Sequence, residues 1–352
     1  MSLGKRLIST DAAGGGGADG SANFDTVLYE GNGGTKAISS LNFAPDLVWL
    51  KNRETAVSHC LFDTIRGAGT TNQLYSDSSA AEGTDTTLTN LVSFDSNGFT
   101  LGATSGFNVS NNSGDDYVAW CWKAGGSAVS NTNGTITSSV SANTTGFSIV
   151  KYTGNGTAGA TIGHGLTLTP SLIIWKNLDA TSNWLVYSPL IGSDSEWLYL
   201  NLSTSKQDSG STNEYPTNKV NPTSSVVTVN GAGSSNNINI SGQDTIMYCF
   251  ADIAGYQKIG SYSSDGNNKT ISTGFRPRWV MIKSSTSAGN LWVILDSLRT
   301  TGTNGKNRIY PNDSYQEDTS IDVSFNATDF TLLTSNGDVN GNGKSYIYLA
   351  IA

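Results

Sequence analysis

The sequence predicts an all-β protein. Its parts are three tandem β-sandwich, jelly-roll-like repeats, each of about 100 residues, behind a glycine-rich N-terminal tether. Three observations predict this. Short apolar clusters alternate with turn residues, and no amphipathic helical stretch exceeds about three turns. Charged residues are only 14% of the 352, against roughly 25% in typical globular proteins, yet the 37% hydrophobic content is clustered tightly enough to build cores. The chain also writes one strand three times: "PDLVWLKNR" at 45–53, "PSLIIWKN" at 170–177 and "PRWVMIKS" at 277–284. Each copy sets a lysine six residues after its proline, pairing Pro45 with Lys51, Pro170 with Lys176 and Pro277 with Lys283.

The flanking segments align on that strand. Ahead of it comes a turn after a tyrosine: "YEGNG" at 29–33, "YTGNG" at 152–156 and "YSSDGN" at 262–267. Asn-Gly and Asp-Gly tolerate positive φ at little cost, so these are hairpin signals. Behind it comes a second apolar strand, "CLFDTIRG", "WLVYSPLIG" or "WVILDSLRT", and each unit closes on an aromatic strand, "YVAWCWKA", "TIMYCFAD" or "SYIYLAIA". The boundaries follow. Residues 1–23 form a docking peptide and tether, 24–127 the first repeat, 128–146 a polar linker, 147–255 the second repeat and 256–352 the third. Within the linker, "TITSSVS" has the alternation of an edge strand. The runs "LVWL", "LIIW" and "WVMI" are continuously apolar. That pattern suits strands covered on both faces, one face on the unit's own core and the other against a neighbour.

Charge and composition narrow the function. The net charge is −8 and no basic stripe is visible, which argues against nucleic-acid partners. No apolar run approaches the ~20 residues that span a bilayer, and "MSLGKRLIST" lacks the apolar centre of a secretory signal. The three cysteines, Cys60, Cys121 and Cys249, read as small buried residues.

The repeated lysines read as strand ends at a sheet rim, with the charge in water and the stem over apolar surface. Asp63 with Arg66, and Asp296 with Arg299, share one spacing after a strand and read as turn-capping ion pairs. The second unit has Ser188 and Ile191 there. His59 and His164 are the only histidines and suggest no triad or zinc site. "DVNGNGK", from Asp338, matches half of a calcium loop, but Leu349 stands where the closing Glu belongs, so an Asn-Gly hairpin is the reading. Asp115, Asp116, Glu317 and Asp318 are acidic, without a spacing that sets two across a cleft. Tyr75, Tyr215, Tyr310 and Tyr315 lie in polar loops and are the candidates for stacking on sugars. No catalytic residue, metal or cofactor is expected.

"APDLVWLKNRETAVSHCLFDTIRGAG", followed by "LVSFDSNGFTLGATSGFNVSNNSGDDYVAWCWKAGG", resembles a repeated β-domain of tail-fibre and tail-associated virion proteins from marine tailed bacteriophages. The likeness is close over residues 29–126 and weaker in the two later units. The leader "LGKRLIST" is similar to the short peptide that precedes sandwich domains in such proteins. The resemblance implies a non-enzymatic virion protein. It would dock to other virion proteins through Leu3, Lys5, Arg6, Leu7 and Ile8, multimerise as a homo-oligomer, with a trimer the expected form, and offer loops to a host-surface glycan or protein. A purely structural role (head decoration, collar or nozzle part) and a glycan-cleaving depolymerase are the alternatives.

Overall fold

A computed structural model describes residues 22–352 apart from 70, 84–89, 104–109, 143–144, 194, 209–219, 230–237 and 300–306. The described residues form strands and turns, with no α-helix among them.

The first segment holds β1 (Phe24–Glu30), β2 (Lys36–Ile38), β3 (Leu47–Asn52), β4 (Cys60–Asp63), β5 (Leu91–Asp95), β6 (Gly98–Leu101) and β7 (Asp116–Trp122). One sheet runs β1-β7-β3-β4 and the other β2-β6-β5. The second segment opens with β8 (Val129–Asn131) and β9 (Ser138–Ala142). It continues through β10 (Phe147–Thr153), β11 (Ala160–Gly163), β12 (Leu172–Asn177), β13 (Leu185–Tyr187), β14 (Glu196–Tyr199) and β15 (Gln207–Asp208). It ends with β16 (Asn221–Pro222), β17 (Val226–Val229) and β18 (Asp244–Phe250). Its large sheet runs β15-β14-β13-β12-β18-β10-β9-β8, faced by β11-β17-β16. The third segment holds β19 (Gln257–Ser263), β20 (Lys269–Ser272), β21 (Trp279–Ser284) and β22 (Val293–Asp296). After these come β23 (Arg308–Ile309), β24 (Val323–Phe325), β25 (Asp329–Leu332) and β26 (Ser345–Ile351). Its sheets run β19-β26-β21-β22-β23 and β20-β25-β24.

One strand order therefore recurs. In each segment β1, β10 or β19 pairs with the last strand, the last with the proline-to-lysine strand, and that strand with the next in sequence, all antiparallel. The turn glycines recur as well. Gly33, Gly156 and Gly266 sit at φ of 67°, 70° and 82°, the left-handed region that a side chain rarely adopts.

Strand alternation divides the core into four apolar clusters. On β3, Val48 and Leu50 face inward between the first segment's two sheets, with Phe62, Phe99 and Cys121. The other two sandwiches have interiors of their own. The opposite face of β3, with Leu47 and Trp49, joins a fourth cluster drawn from all three segments, including Trp120, Trp122, Ile174, Trp184, Trp279 and Trp292. The large sheets thus pack on one another about a common centre. This is why β3, β12 and β21 are buried along their whole length. Aromatic side chains of this size bury roughly 150–250 Å² each, about 4–6 kcal/mol of transfer free energy per ring before entropy is subtracted. The cysteines are buried and free; Cys121 and Cys249 occupy matching places on β7 and β18.

One boundary needs correction. Within the expected linker, residues 129–142 are not slack: β8 and β9 form a hairpin that extends the second segment's large sheet through β10. The reason is period-two patterning. Ile136, Ser138 and Val140 alternate with exposed neighbours, and Ile136 and Val140 complete that sandwich's interior.

Candidate functional site

The lysines, His59 and the Asp–Arg pairs singled out from the sequence converge on the seams between sandwiches. The three lysines come first, and they correct the expectation of rim-exposed charge. Lys51, Lys176 and Lys283 are each 0% exposed. The loop after each strand turns back over it, and the neighbouring sandwich closes the cage with a backbone carbonyl. Lys51 Nζ donates to Val57 O at 2.7 Å and to Ser314 O of the third segment at 3.1 Å. Lys176 Nζ donates to Ser182 O at 2.9 Å and to Ser79 O of the first segment at 3.1 Å. Lys283 Nζ donates to Asn290 O at 2.8 Å and reaches Ser203 O of the second at 3.5 Å. Burial lowers each ammonium from 10.5 to about 8; for Lys51 the charges of Asp77 and Asp313 act against that shift, and for Lys283 Asp338 does so.

These contacts go round a ring: first segment to third, second to first, third to second. The residue just before β4, β13 or β22 makes the same step. His59 bonds Tyr310 O at 2.9 Å, Trp184 donates to Tyr75 O at 2.9 Å, and Trp292 donates to Tyr199 O at 2.8 Å. Backbone bonds repeat it between Glu317 N and Arg53 O, Glu82 N and Leu178 O, and Lys206 N and Ser285 O. A single chain thus closes a ring with pseudo-three-fold symmetry.

His59 is a structural member of this ring. The indole of Trp49 donates to His59 Nδ1 at 2.9 Å, so Nε2 carries the proton that reaches Tyr310 O. Burial, with the charges of Lys51 and Arg299, holds its pKa well below 6.5 despite the bond to Tyr310. The unfolded chain therefore takes up a proton below about pH 6.5 that the folded state refuses, and stability falls on acidification. His59→Gln keeps one acceptor and one donor. Its urea midpoint is expected to fall less between pH 7 and pH 5 than that of the wild type; parallel curves would rule out His59 as a source of acid lability. His164 lies apart, in the second sandwich, where its Nε2 meets Thr223 O and its Nδ1 accepts from Leu166 N.

The Asp–Arg pairs sit on two of the three seams. Asp63 accepts from Arg66 Nε at 2.6 Å, and Arg66 reaches Glu82 at 2.8 Å; Tyr248 from the second segment donates to Asp63 at 2.7 Å. Asp296 accepts from Arg299 Nε at 2.5 Å, Arg299 reaches Glu317 at 2.9 Å, and Trp120 from the first segment donates to Asp296 at 3.0 Å. On the remaining seam all three polar groups are gone. Ser188 and Ile191 replace the pair, and Leu349 occupies the place of Tyr248 and Trp120, with Ile191 and Leu349 both in the central cluster. Burial pushes the Glu317 carboxyl up, but hydrogen bonds and charge from Arg53 and Arg299 outweigh it and hold the group below its ordinary value.

A family model described as a domain of unknown function, DUF7483, matches residues 19–352. The chain belongs to the DUF7483 family. No curated protein and no solved structure matches it.

Other candidates of the DUF7483 chain fall differently. Tyr310, expected on a loop surface, is 4% exposed: its hydroxyl donates to Asp318 at 2.6 Å and Arg308 lies over its ring at 4.7 Å. Tyr75 is half-buried against the first sandwich interior, and Tyr315 is exposed. Tyr215, and Leu3, Lys5, Arg6, Leu7 and Ile8, lie outside the described residues. Pro45, Pro170 and Pro277 stand just ahead of β3, β12 and β21, where a missing N–H costs no ladder bond. In "DVNGNGK", Asp338 is held by Leu291 N and Arg308, and buried Asn340 donates to Thr334 O and Asn267 O. Among the described residues no group of three or more His, Cys, Asp or Glu could hold a metal ion, and no helix is long and apolar enough to cross a membrane. Sequence reasoning missed Glu82, Glu317, Tyr248 and Trp120 as seam residues. Their signal was faint: Glu82 and Glu317 follow Arg66 and Arg299 by 16 and 18 residues.

Proposed function

We propose that this protein is a non-enzymatic component of a bacteriophage particle, a tail fibre or tail-associated adsorption protein that presents loops to the host surface. One observation carries the reading. The lysines, the Asp–Arg pairs and His59, which are the groups best suited to chemistry, are engaged in seams that hold three sandwiches together. Such an investment suits a rigid body that bears load, and three similar sandwiches in one chain offer up to three weak contacts whose avidity multiplies. The resemblance over residues 29–126 supplies the virion context. The reading does not require association of whole chains, because one chain already supplies three-fold geometry.

Four measurements test it. Immunogold electron microscopy of intact particles should place the protein at the tail. Deleting residues 2–10 should release it from the particle, since the leader is the proposed anchor; normal incorporation of the truncated chain would refute that role. Purified protein should bind host envelope above background. Background binding together with a head or collar location would instead identify a purely structural part. New reducing ends released from host polysaccharide would contradict the non-enzymatic reading.

A further inference from the structure

The three large sheets turn one matching layer of side chains toward the centre where β1, β10 and β19 begin. Phe24, Trp122 and Leu47 lie level across the first sheet, Phe147, Phe250 and Leu172 across the second, and Gln257, Ile351 and Trp279 across the third. Side chains directly opposite one another in an antiparallel sheet share a face. The eight apolar members all belong to the central cluster. Gln257 is 1% exposed and stands where the other two segments have phenylalanine. Of these nine side chains only Trp122, Trp279 and Gln257 carry a nitrogen or oxygen, and each leaves one such atom buried without a partner: the two indole Nε1 and the amide Oε1. The two indoles meet edge to face, with centroids 5.5 Å apart at 88°. Such a pair aims at most one N–H at its partner's ring, so it cannot serve both donors. Phe147 lies 6.4 Å from Trp122. Gln257 Nε2 donates to Gly146 O, just before Phe147, at 3.1 Å and to Ala251 O, just after Phe250, at 2.8 Å. Only the NH2 end of an amide can donate to two carbonyls, so Oε1 is the end turned away from them.

We infer that Trp122, Trp279 and Gln257 form a buried binding site, inside the central cluster, for one small neutral hydroxyl ligand, a water molecule. The three atoms match its chemistry. Its oxygen accepts from both indoles and one of its protons goes to Gln257 Oε1, and about three bonds is the usual number for a buried water. An anion would face the Gln257 oxygen as well as the two donors, and the nine-residue layer holds no cation to offset its burial. A cation would face two donors and a single acceptor. An apolar guest would leave all three polar atoms to bear their full desolvation penalty. The site also joins the sandwiches: Trp122 comes from the first, Trp279 and Gln257 from the third, and the Gln257 amide is anchored on the second. It is independent of the proposed function.

The test is a crystal structure of the full-length chain at a resolution that shows ordered water, for the wild type and for the double variant Trp122→Phe with Trp279→Phe. The expected result is one density peak within hydrogen-bond distance of all three atoms in the wild type, and loss of that peak in the double variant, where the water would keep a single partner. The wild type alone decides the matter if the double variant fails to fold. In solution, the indole N–H resonances of Trp122 and Trp279 should both show cross-relaxation with a long-lived water, while that of Trp292, which donates to Tyr199 O, shows none. Three wild-type results would overturn the inference: no peak, a peak on one indole only, or Gln257 Oε1 resting directly on an indole N–H. A peak that persists unchanged in the double variant would overturn it too, as would cross-relaxation at neither indole.

Discussion

Replacing Arg299 with methionine is expected to destabilise the protein by about 3–5 kcal/mol, the range for removing one partner of a buried ion pair. The urea midpoint reports it. Both members of the pair have side chains that are 0% exposed. Without the guanidinium, Asp296 keeps the Trp120 indole and the backbone N–H of residue 299, and neither neutralises a carboxylate cut off from water. Glu317 retains Arg53, so the loss centres on Asp296. The molecule carries its own control. The second sandwich meets the same structural demand with Ser188 and Ile191. Asp296→Ser combined with Arg299→Ile writes that solution into the third sandwich, and the expected loss falls to about 1–2 kcal/mol, the cost of leaving the Trp120 N–H without an acceptor. Equal destabilisation of the single and double variants would show that the stranded carboxylate is not the source of the effect.

The second large effect is alkaline stabilisation. Each caged lysine has its folded pKa near 8, below the 10.5 of the free group. Between those values the unfolded chain holds protons that the folded chain has released. The lysines' contribution to stability therefore rises with pH through the window from about 8 to about 10, by at most about 3 kcal/mol per lysine. Buried tyrosines and cysteines act with the opposite sign: burial raises the Cys60, Cys121 and Cys249 thiols, so the unfolded chain loses their protons first from about pH 9 and their contribution falls there. Burial raises Tyr117, Tyr346 and Tyr348 to about 12, so above pH 10 the unfolded chain loses their protons first and stability falls. Lys176 is the cleanest probe, since burial alone shifts it. Lys176→Met should remove about a third of the lysine contribution between pH 8 and pH 10, read as the difference from wild type so that the tyrosines and cysteines cancel. Superimposable pH profiles for the two proteins would exclude the lysine cages as the cause.

Local pattern made the strands legible. The runs "LVWL", "LIIW" and "WVMI" announced strands covered on both faces, and they lie between a sandwich interior and the central cluster. The Asn-Gly and Asp-Gly turns announced left-handed glycines, and the structure places Gly33, Gly156 and Gly266 there. The fate of each lysine was not legible. A cation at the end of an apolar strand looks the same whether water or a ring of carbonyls receives it, and the carbonyls of Ser314, Ser79 and Ser203 come from other sandwiches. Tyr310 was hidden in the same way, because Arg308 and Asp318 draw a residue from a polar stretch under cover. The hairpin at 129–142 was visible only as a faint alternation within a polar stretch, and it needed the edge of β10 to take hold.

The sequence by itself determined the all-β class, the strands and the turns, because these follow from alternation, continuous apolar runs and residues that tolerate positive φ. Tertiary structure alone decided what the charges are for. The carbonyls that cage the lysines, and the Tyr248 and Trp120 groups that donate to Asp63 and Asp296, lie between 80 and 263 residues away along the chain; they meet these charges only once three large sheets turn their second apolar faces toward one centre, and burial then makes each partner obligatory.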